Sequence, residues 1–263
     1  MGETYALITG ASSGIGREFA EVFARNRHNL ILVARSEEKL EKLAAALQKK
    51  YGIDAAAMPA DLSVPDAAER LHEKTKERGY EVDNLVNSAG FGDWGGFLDS
   101  DWKRQSDMVQ VNITALMQMT GLYGKDMRKR GFGHILNLSS VAAFCAGPYM
   151  SVYYASKGYV LSFSQAVAEE LAGTGVTVTA LCPGPTSTGF ESAAQMKNSK
   201  MFTSLHTAAA KEVAEYGYRA MQKGKVTAFH GRVTKAVNIG SRLFSRKAVR
   251  KAALWINGKP EKS

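Results

Sequence analysis

A tyrosine and a lysine stand four residues apart in Ser151-Val-Tyr-Tyr-Ala-Ser-Lys157, at the start of a helix-compatible run. On an α-helix, residues i and i+4 share one face. Tyr153 and Lys157 can therefore point at the same volume. An ammonium beside a phenol favours the phenolate and lowers the tyrosine pKa, which gives a proton donor and acceptor usable near neutral pH. Such pairs also arise on surfaces, where an aliphatic stem packs on a ring, so the surrounding chain must decide between the two.

A second constellation precedes it. Tyr5-Ala-Leu-Ile-Thr9 reads as a short buried strand, and Phe19, Ala20, Val22 and Phe23 mark a helix. Between them lies Gly10-Ala-Ser12-Ser13-Gly14-Ile15-Gly16. Glycines there permit a tight turn and let a pyrophosphate approach the backbone, and the helix N-terminus offers unpaired N–H groups. The spacing is not G-x-G-x-x-G, and the Gly-Lys-Ser/Thr of a triphosphate loop is missing. After the second strand, NAD sites usually carry an acid for the ribose hydroxyl. Here the run is Val33-Ala34-Arg35-Ser36. A guanidinium suits a 2′-phosphate, so the expected cofactor is NADPH/NADP+; otherwise Arg35 is a solvated loop arginine. Arg17 either assists or belongs to the helix surface. Asp61, after the third strand, either accepts a hydrogen bond from the adenine amino group or forms a turn.

The elements that must position these groups follow from periodicity. Strands are expected at residues 5–9, 29–34, 55–59, 84–87, 134–138, 176–182 and 225–229. Helices are expected at 36–51, 65–78, 151–172 and 207–223, with one long helix over 99–130. This alternation predicts an α/β protein: a Rossmann-like, doubly wound parallel sheet of about seven strands with helices on both faces. Residues 1–231 read as one domain holding both sites, and 232–263 as its basic, helical C-terminal extension.

The bulk composition, 45% hydrophobic and 22% charged residues, is that of an ordinary globular chain. No apolar run reaches the length of a membrane span, and neither a signal peptide nor a myristoylation pattern is visible. Two cysteines, Cys145 and Cys182, are too few for a disulfide framework or a zinc site. With the histidines scattered, no metal is expected. A reducing cytoplasm fits. The net charge of +9 is uneven, for residues 191–263 hold fifteen Lys/Arg against four Asp/Glu. Within 232–258, Val, Ile, Leu, Phe and Trp alternate with Lys and Arg. That mixture suits an anionic membrane surface, a helix packed on the domain, or a subunit contact. No nucleic-acid reader pattern accompanies the charge.

Taken together, the chain resembles the short-chain dehydrogenases/reductases, strongly over residues 4–190 and more loosely to about 230. The motifs are Thr9-Gly10-xxx-Gly14-Ile15-Gly16, Asp61-Leu62, Asn87-Ser-Ala89-Gly90, Val111-Asn112, Asn137-Leu-Ser-Ser140, Tyr153-xxx-Lys157 and Pro183-Gly184-Pro-Thr186-Ser-Thr188. Ser88 departs from the family's usual second Asn. The resemblance implies that Tyr153 exchanges the proton with a carbonyl or alcohol, and that Lys157 lowers its pKa and binds the nicotinamide ribose. Ser140 would polarise the substrate carbonyl, Asn112 would hold a water linking Lys157 to solvent, and Thr188 would bind the carboxamide. The Asn87–Gly90 and Pro183–Thr188 segments would shape the cofactor pocket. It also implies a dimer or tetramer through two long helices. Phe91, Trp94, Phe97, Phe144, Tyr149, Phe190 and Met201 flank these motifs, either as a lipophilic substrate wall or as ordinary core. The expected activity is reduction of a small-molecule carbonyl or oxidation of the alcohol. A nonenzymatic NADPH-binding regulator on the same fold is the alternative, but it would not need the full Ser140/Tyr153/Lys157/Asn112 set.

Overall fold

The computed structural model describes residues 3–190, 194 and 207–258. Seven strands form one parallel sheet: β1 (Thr4–Thr9), β2 (Asn29–Val33), β3 (Ala55–Ala57), β4 (Glu81–Asn87), β5 (Gly133–Leu138), β6 (Val176–Cys182) and, late in the chain, β9 (Thr227–Phe229). Their spatial order is β3-β2-β1-β4-β5-β6-β9. A separate parallel pair joins β7 (Thr186–Ser187) to β8 (Ala208–Ala209). The step from β1 to both β2 and β4 reverses the winding, and ligands of open α/β sheets bind at such a switch point, outside the strands' carboxyl ends.

Both faces of the sheet are apolar, as parallel strands require. Ala6 and Ile8 of β1 join Phe19 and Phe23 of α1 (Gly14–Arg25), Leu40 and Leu47 of α2 (Glu37–Tyr51), and Val213 and Met221 of α7 (Ala210–Gln222). Tyr5 and Leu7 face the other way. They join Leu71 of α3 (Ala67–Glu77) and Met119, Tyr123 and Met127 of α5 (Leu116–Arg130). Tyr153 and Lys157 lie on α6 (Ser151–Glu170). Residues 232–258 form α8 (Arg232–Leu243) and α9 (Arg246–Asn257).

Several expected boundaries shift, with β4 beginning three residues early at Glu81, and two of the differences have a local reason. The third strand stops at Ala57, two residues before Pro59, which has no N–H to give a ladder. The single helix expected over 99–130 is three pieces: α4 (Trp102–Val109), a π-helical segment Gln110–Ala115, and α5. Asp101 starts α4 by accepting from the Lys103 N–H at 2.9 Å. The π segment contains Asn112, and such wide turns recur at functional sites. Met201 lies outside the described residues.

Candidate active site

The cofactor cleft is built at the mouth of β1. Gly10 has φ of +69° and Gly14 of +54°, which glycine alone adopts freely. A Cβ on Gly16 would sit 2.3 Å from the Gly10 carbonyl oxygen, so glycine is what allows α1 to lie against the loop. Helix α1 has no side-chain cap at Ser13 and no acid in its first turn. Its first N–H groups thus remain available to an anion. Thr9 ties this loop to the next strand's end: its Oγ1 accepts from the Ser88 and Ala89 N–H groups, each at 3.0 Å.

The resulting cleft has a volume of about 740 Å³. Gly10, Ser12, Ser13, Gly14, Ile15, Gly16, Arg35, Asp61, Leu62, Ala89, Gly90 and Thr188 all line it. Its volume is within the range of small-molecule sites, and the glycine cradle with the uncapped helix end fits a dinucleotide. Lys39 also lines it, one helical turn beyond Arg35 at the start of α2, and this second cation was missed. The i, i+4 spacing from Arg35 is the signal that could have found it. Asp61 is occupied in a turn, accepting from Ser63 N at 3.0 Å and Ser63 Oγ at 2.8 Å. Although partial burial opposes it, hydrogen bonds from Ser63 and the nearby Arg35 charge hold this carboxyl below the usual aspartate range.

Asn87 is corrected. It is buried and does not line the cleft; its amide donates to Asn137 Oδ1 at 2.8 Å and Thr120 Oγ1 at 3.2 Å. It braces β4 to β5 and α5, because the strand's alternation turns this residue away from the loop.

A smaller pocket of about 100 Å³ adjoins the cleft, sharing Ile15, Gly90, Leu138, Thr188 and Phe190 with it. Ser140, Tyr153, Lys157, Pro183, Gly184 and Thr186 converge there. Ser140 follows β5, and its Oγ accepts from Ala142 N at 3.1 Å, which leaves its proton to donate. Lys157 is buried, donating from Nζ to the Leu138 carbonyl at 2.8 Å, and Nζ lies 5.7 Å from the Tyr153 ring centre. Burial pushes Lys157 down to about 8.

The expected depression of Tyr153 is not what the protein itself supplies. Burial pushes this phenol up to about 12, and a hydrogen bond with Ser140 pulls it partway back. Desolvation of the phenolate outweighs the help of its neighbours, so the phenol keeps its proton at neutral pH.

Asn112 sits behind the pocket. Its Oδ1 accepts from Phe91 N at 3.1 Å, and its Nδ2 donates to Phe91 O at 3.0 Å and Ser156 Oγ at 3.1 Å. Glycine at 90 allows the loop to pack close to both: a Cβ there would lie 2.9 Å from Asn112 Oδ1 and 3.5 Å from Lys157 Nζ.

The aromatic wall divides. Phe190 packs on Tyr153 with ring centres 5.2 Å apart, and Trp94 joins the same cluster. Phe91 lines the cofactor cleft. Phe144 instead packs on Phe229, and Phe97 lies at the surface against Trp102. Tyr149, with φ of +63°, immediately precedes Met150, which lines the small pocket.

Tyr154, next to Tyr153 in the chain, engages the C-terminal extension. Its hydroxyl donates to Asn257 Oδ1 at 3.0 Å, and Asn257 Nδ2 donates to the Pro148 carbonyl at 2.8 Å. Asn257 is completely buried, so this clamp fastens the end of α9 to the start of the catalytic helix.

The family model for short chain dehydrogenases matches residues 4–199. A 7beta-hydroxysteroid dehydrogenase from Collinsella aerofaciens is 32% identical over 184 residues, covering 70% of this chain and 69% of that protein. Among solved structures, a short-chain dehydrogenase from Sphingobium yanoikuyae in complex with NADPH is 30% identical. It superposes with a TM-score of 0.81 over 91% of this chain and 94% of that one. A short chain dehydrogenase/reductase from Burkholderia phymatum in complex with NAD is 25% identical, with a TM-score of 0.80 over 92% and 95% of the two chains. Motif order, sheet topology, site geometry and these matches agree: the chain belongs to the short-chain dehydrogenase/reductase family.

Proposed function

We propose that the protein is an NADPH-dependent oxidoreductase that interconverts a lipophilic ketone, aldehyde or 3-oxoacyl thioester with its alcohol. The observation that carries this reading is the meeting of Ser140, Tyr153 and Lys157 in one pocket that opens onto the cleft. A nicotinamide bound in the cleft would supply the hydride. Tyr153, a phenol held protonated by burial, gives its proton to the carbonyl oxygen in the reducing direction. Ser140 donates towards the same oxygen and polarises it. Lys157 holds the cofactor ribose and keeps positive charge beside the phenolate as the proton leaves. Asn112 and Lys157 both lie beside Gly90, and that grouping suits a relay that returns the proton from solvent through water.

Arg35 and Lys39 support NADPH over NADH, for both line the cleft beyond β2, where two cations suit a phosphate. The related structures hold either NADPH or NAD, so the choice in this chain rests on its own residues. A lipophilic substrate is supported by Phe190, Met150 and Trp94 around the reactive tyrosine, and by the hydroxysteroid dehydrogenase activity named for a relative. Residues 1–231 serve as the catalytic domain in a cytoplasmic homodimer or homotetramer. The exposed Val109 and Met117, with the stacked Tyr159 and Phe163 of α6, suit a subunit face. The basic extension suits contact with an anionic membrane. Among the described residues, no helix is long and apolar enough to cross one.

Tyr153→Phe tests the reading. NADPH oxidation against a panel of ketones, aldehydes and 3-oxoacyl thioesters should fall at least ~10²-fold, with cofactor binding little changed. Retained turnover would remove Tyr153 from the reaction. A regulator would show NADPH binding and no turnover of any panel member by the unaltered protein.

A further inference from the structure

Between α8, α9 and the 3-10 turn Val141–Phe144 lies a cavity of about 330 Å³ that takes no part in the proton-handling site. Val237 and Gly240 of α8, Ala252 and Ile256 of α9, and Cys145 form its apolar lining. Val141, Ala142, Tyr154 and Pro185 stand between it and the catalytic pocket, lining both. The Tyr154–Asn257 hydrogen bond fixes that partition. The cavity opens outwards at Val233 and Phe244, which line it while remaining 39% and 66% exposed.

The outer surface around this mouth has its own chemistry. Residues 232–258 carry seven Lys/Arg and no Asp/Glu. Among the described residues, no ion pair involves any of the seven. Helical spacing puts Arg232, Lys235, Ile239, Arg242 and Leu243 on one face of α8, away from the cavity residues Val237 and Ser241. On α9, Lys247, Arg250, Lys251 and Trp255 likewise lie opposite Val249, Ala253 and Ile256. Ile239, Leu243, Phe244 and Trp255 are 57–76% exposed. Each helix thus has an apolar inner face around a hollow and an outer face of cations interleaved with large apolar side chains.

We propose that this two-helix unit is a lipid site: the cavity takes one hydrocarbon chain of an anionic membrane lipid, and the surrounding cations hold its headgroup. The hollow alone would suit a free fatty acid equally well. The exposed Ile239, Leu243 and Trp255 outside it have no use for such a ligand, but they suit the headgroup–acyl boundary of a bilayer. A second copy of this chain, packed face to face, would bring seven more cations against the seven already there, which disfavours that contact. This inference extends the peripheral contact suggested above by giving the membrane a defined chain-binding pocket, and its test needs no turnover.

Binding should be measured by co-sedimentation with vesicles of phosphatidylcholine alone and of phosphatidylcholine mixed with phosphatidylglycerol. Quenching of Trp255 by brominated acyl chains gives a second readout, with Trp255→Phe correcting for the other tryptophans. The whole protein should bind the anionic vesicles at least tenfold more tightly, with Trp255 quenched. Arg246→Glu with Arg250→Glu, both solvent-exposed changes, should abolish that preference. Val237→Phe with Ala252→Phe, which fills the hollow, should weaken binding to anionic vesicles about tenfold while NADPH binding remains. Loss of NADPH binding would mean that this pair disturbs the fold, and Ala252→Leu alone then replaces it with the same expected direction. Equal binding to both vesicle types overturns the proposal. So does anionic binding that is insensitive to filling the cavity, since that is adsorption by surface charge. Capture of monomeric decanoate without vesicle binding overturns it as well, by showing a free-acid site.

Discussion

Lys157→Met should change how the protein's stability depends on pH. The Lys157 ammonium is buried and its pKa falls from 10.5 to about 8. Between those values the unfolded chain holds a proton that the folded chain has released. Stability therefore rises with pH across this window, because the slope follows the excess of protons bound by the unfolded state. Integrating between pH 7 and pH 10 gives a rise of roughly 2–3 kcal/mol from this one group. Urea unfolding without cofactor, at intervals from pH 7 to pH 10, should show that rise in the unaltered protein relative to Lys157→Met. The comparison cancels the other titrating groups and avoids the range above pH 10, where Tyr153 also contributes. Parallel stability curves for the two proteins would refute the account of Lys157 as a desolvated ammonium. The sign also matters for function. The fold is weakened at neutral pH by the charge that the reaction uses, as expected where a site is built against the local preference of the core.

Three further changes probe the rest of the site. Arg35→Asp should swing cofactor preference from NADPH towards NADH by roughly 10–100-fold, the range of a lost charge-assisted contact, and an unchanged ratio of the two kcat/KM values would remove Arg35 from phosphate recognition. Gly16→Ala places a methyl 2.3 Å from the Gly10 oxygen, so NADPH affinity measured by fluorescence titration should drop at least tenfold, with about 1–3 kcal/mol of stability lost to overpacking. Asn257→Ala leaves the Tyr154 hydroxyl and Pro148 carbonyl without that partner, which should cost about 2–4 kcal/mol in chemical denaturation; a loss under about 0.5 kcal/mol would mean that the clamp is readily replaced.

Local pattern sufficed wherever one element alone determined the outcome. β1, the glycine turn and α1 were legible because tight turning, apolar runs and helical spacing each leave a mark within a few residues. The place of Arg35 in the cleft was legible for a similar reason: it follows directly on a strand end. The features that were not legible depend on partners distant in sequence. The π segment at Asn112 is accompanied by hydrogen bonds to Phe91, 21 residues away, and no periodicity encodes that. Asn87 looked like a cofactor residue because its motif is, but the strand's alternation turns it towards Asn137. The Tyr153 shift depends on how deeply the phenol is desolvated, which a pair of residue types cannot convey. Tyr154 finds Asn257 across 103 positions, and only the folded packing reveals it.

The bridge made by Thr9 bears on how a dinucleotide gets in. One hydroxyl holds the Ser88 and Ala89 amides, and a Cβ on Gly10 would be only 3.0 Å from the Ala89 backbone. The two walls of the cleft are thus riveted together at its base, with no slack for them to part like jaws. Entry must run lengthwise from the open rim where Arg35, Lys39 and Asp61 lie. The nucleotide's phosphorylated adenosine would be captured first, and the nicotinamide would arrive last, beside Tyr153. Exit would retrace that path, so on the proposed reading the cations there would bear on residence time as well as on choice of cofactor.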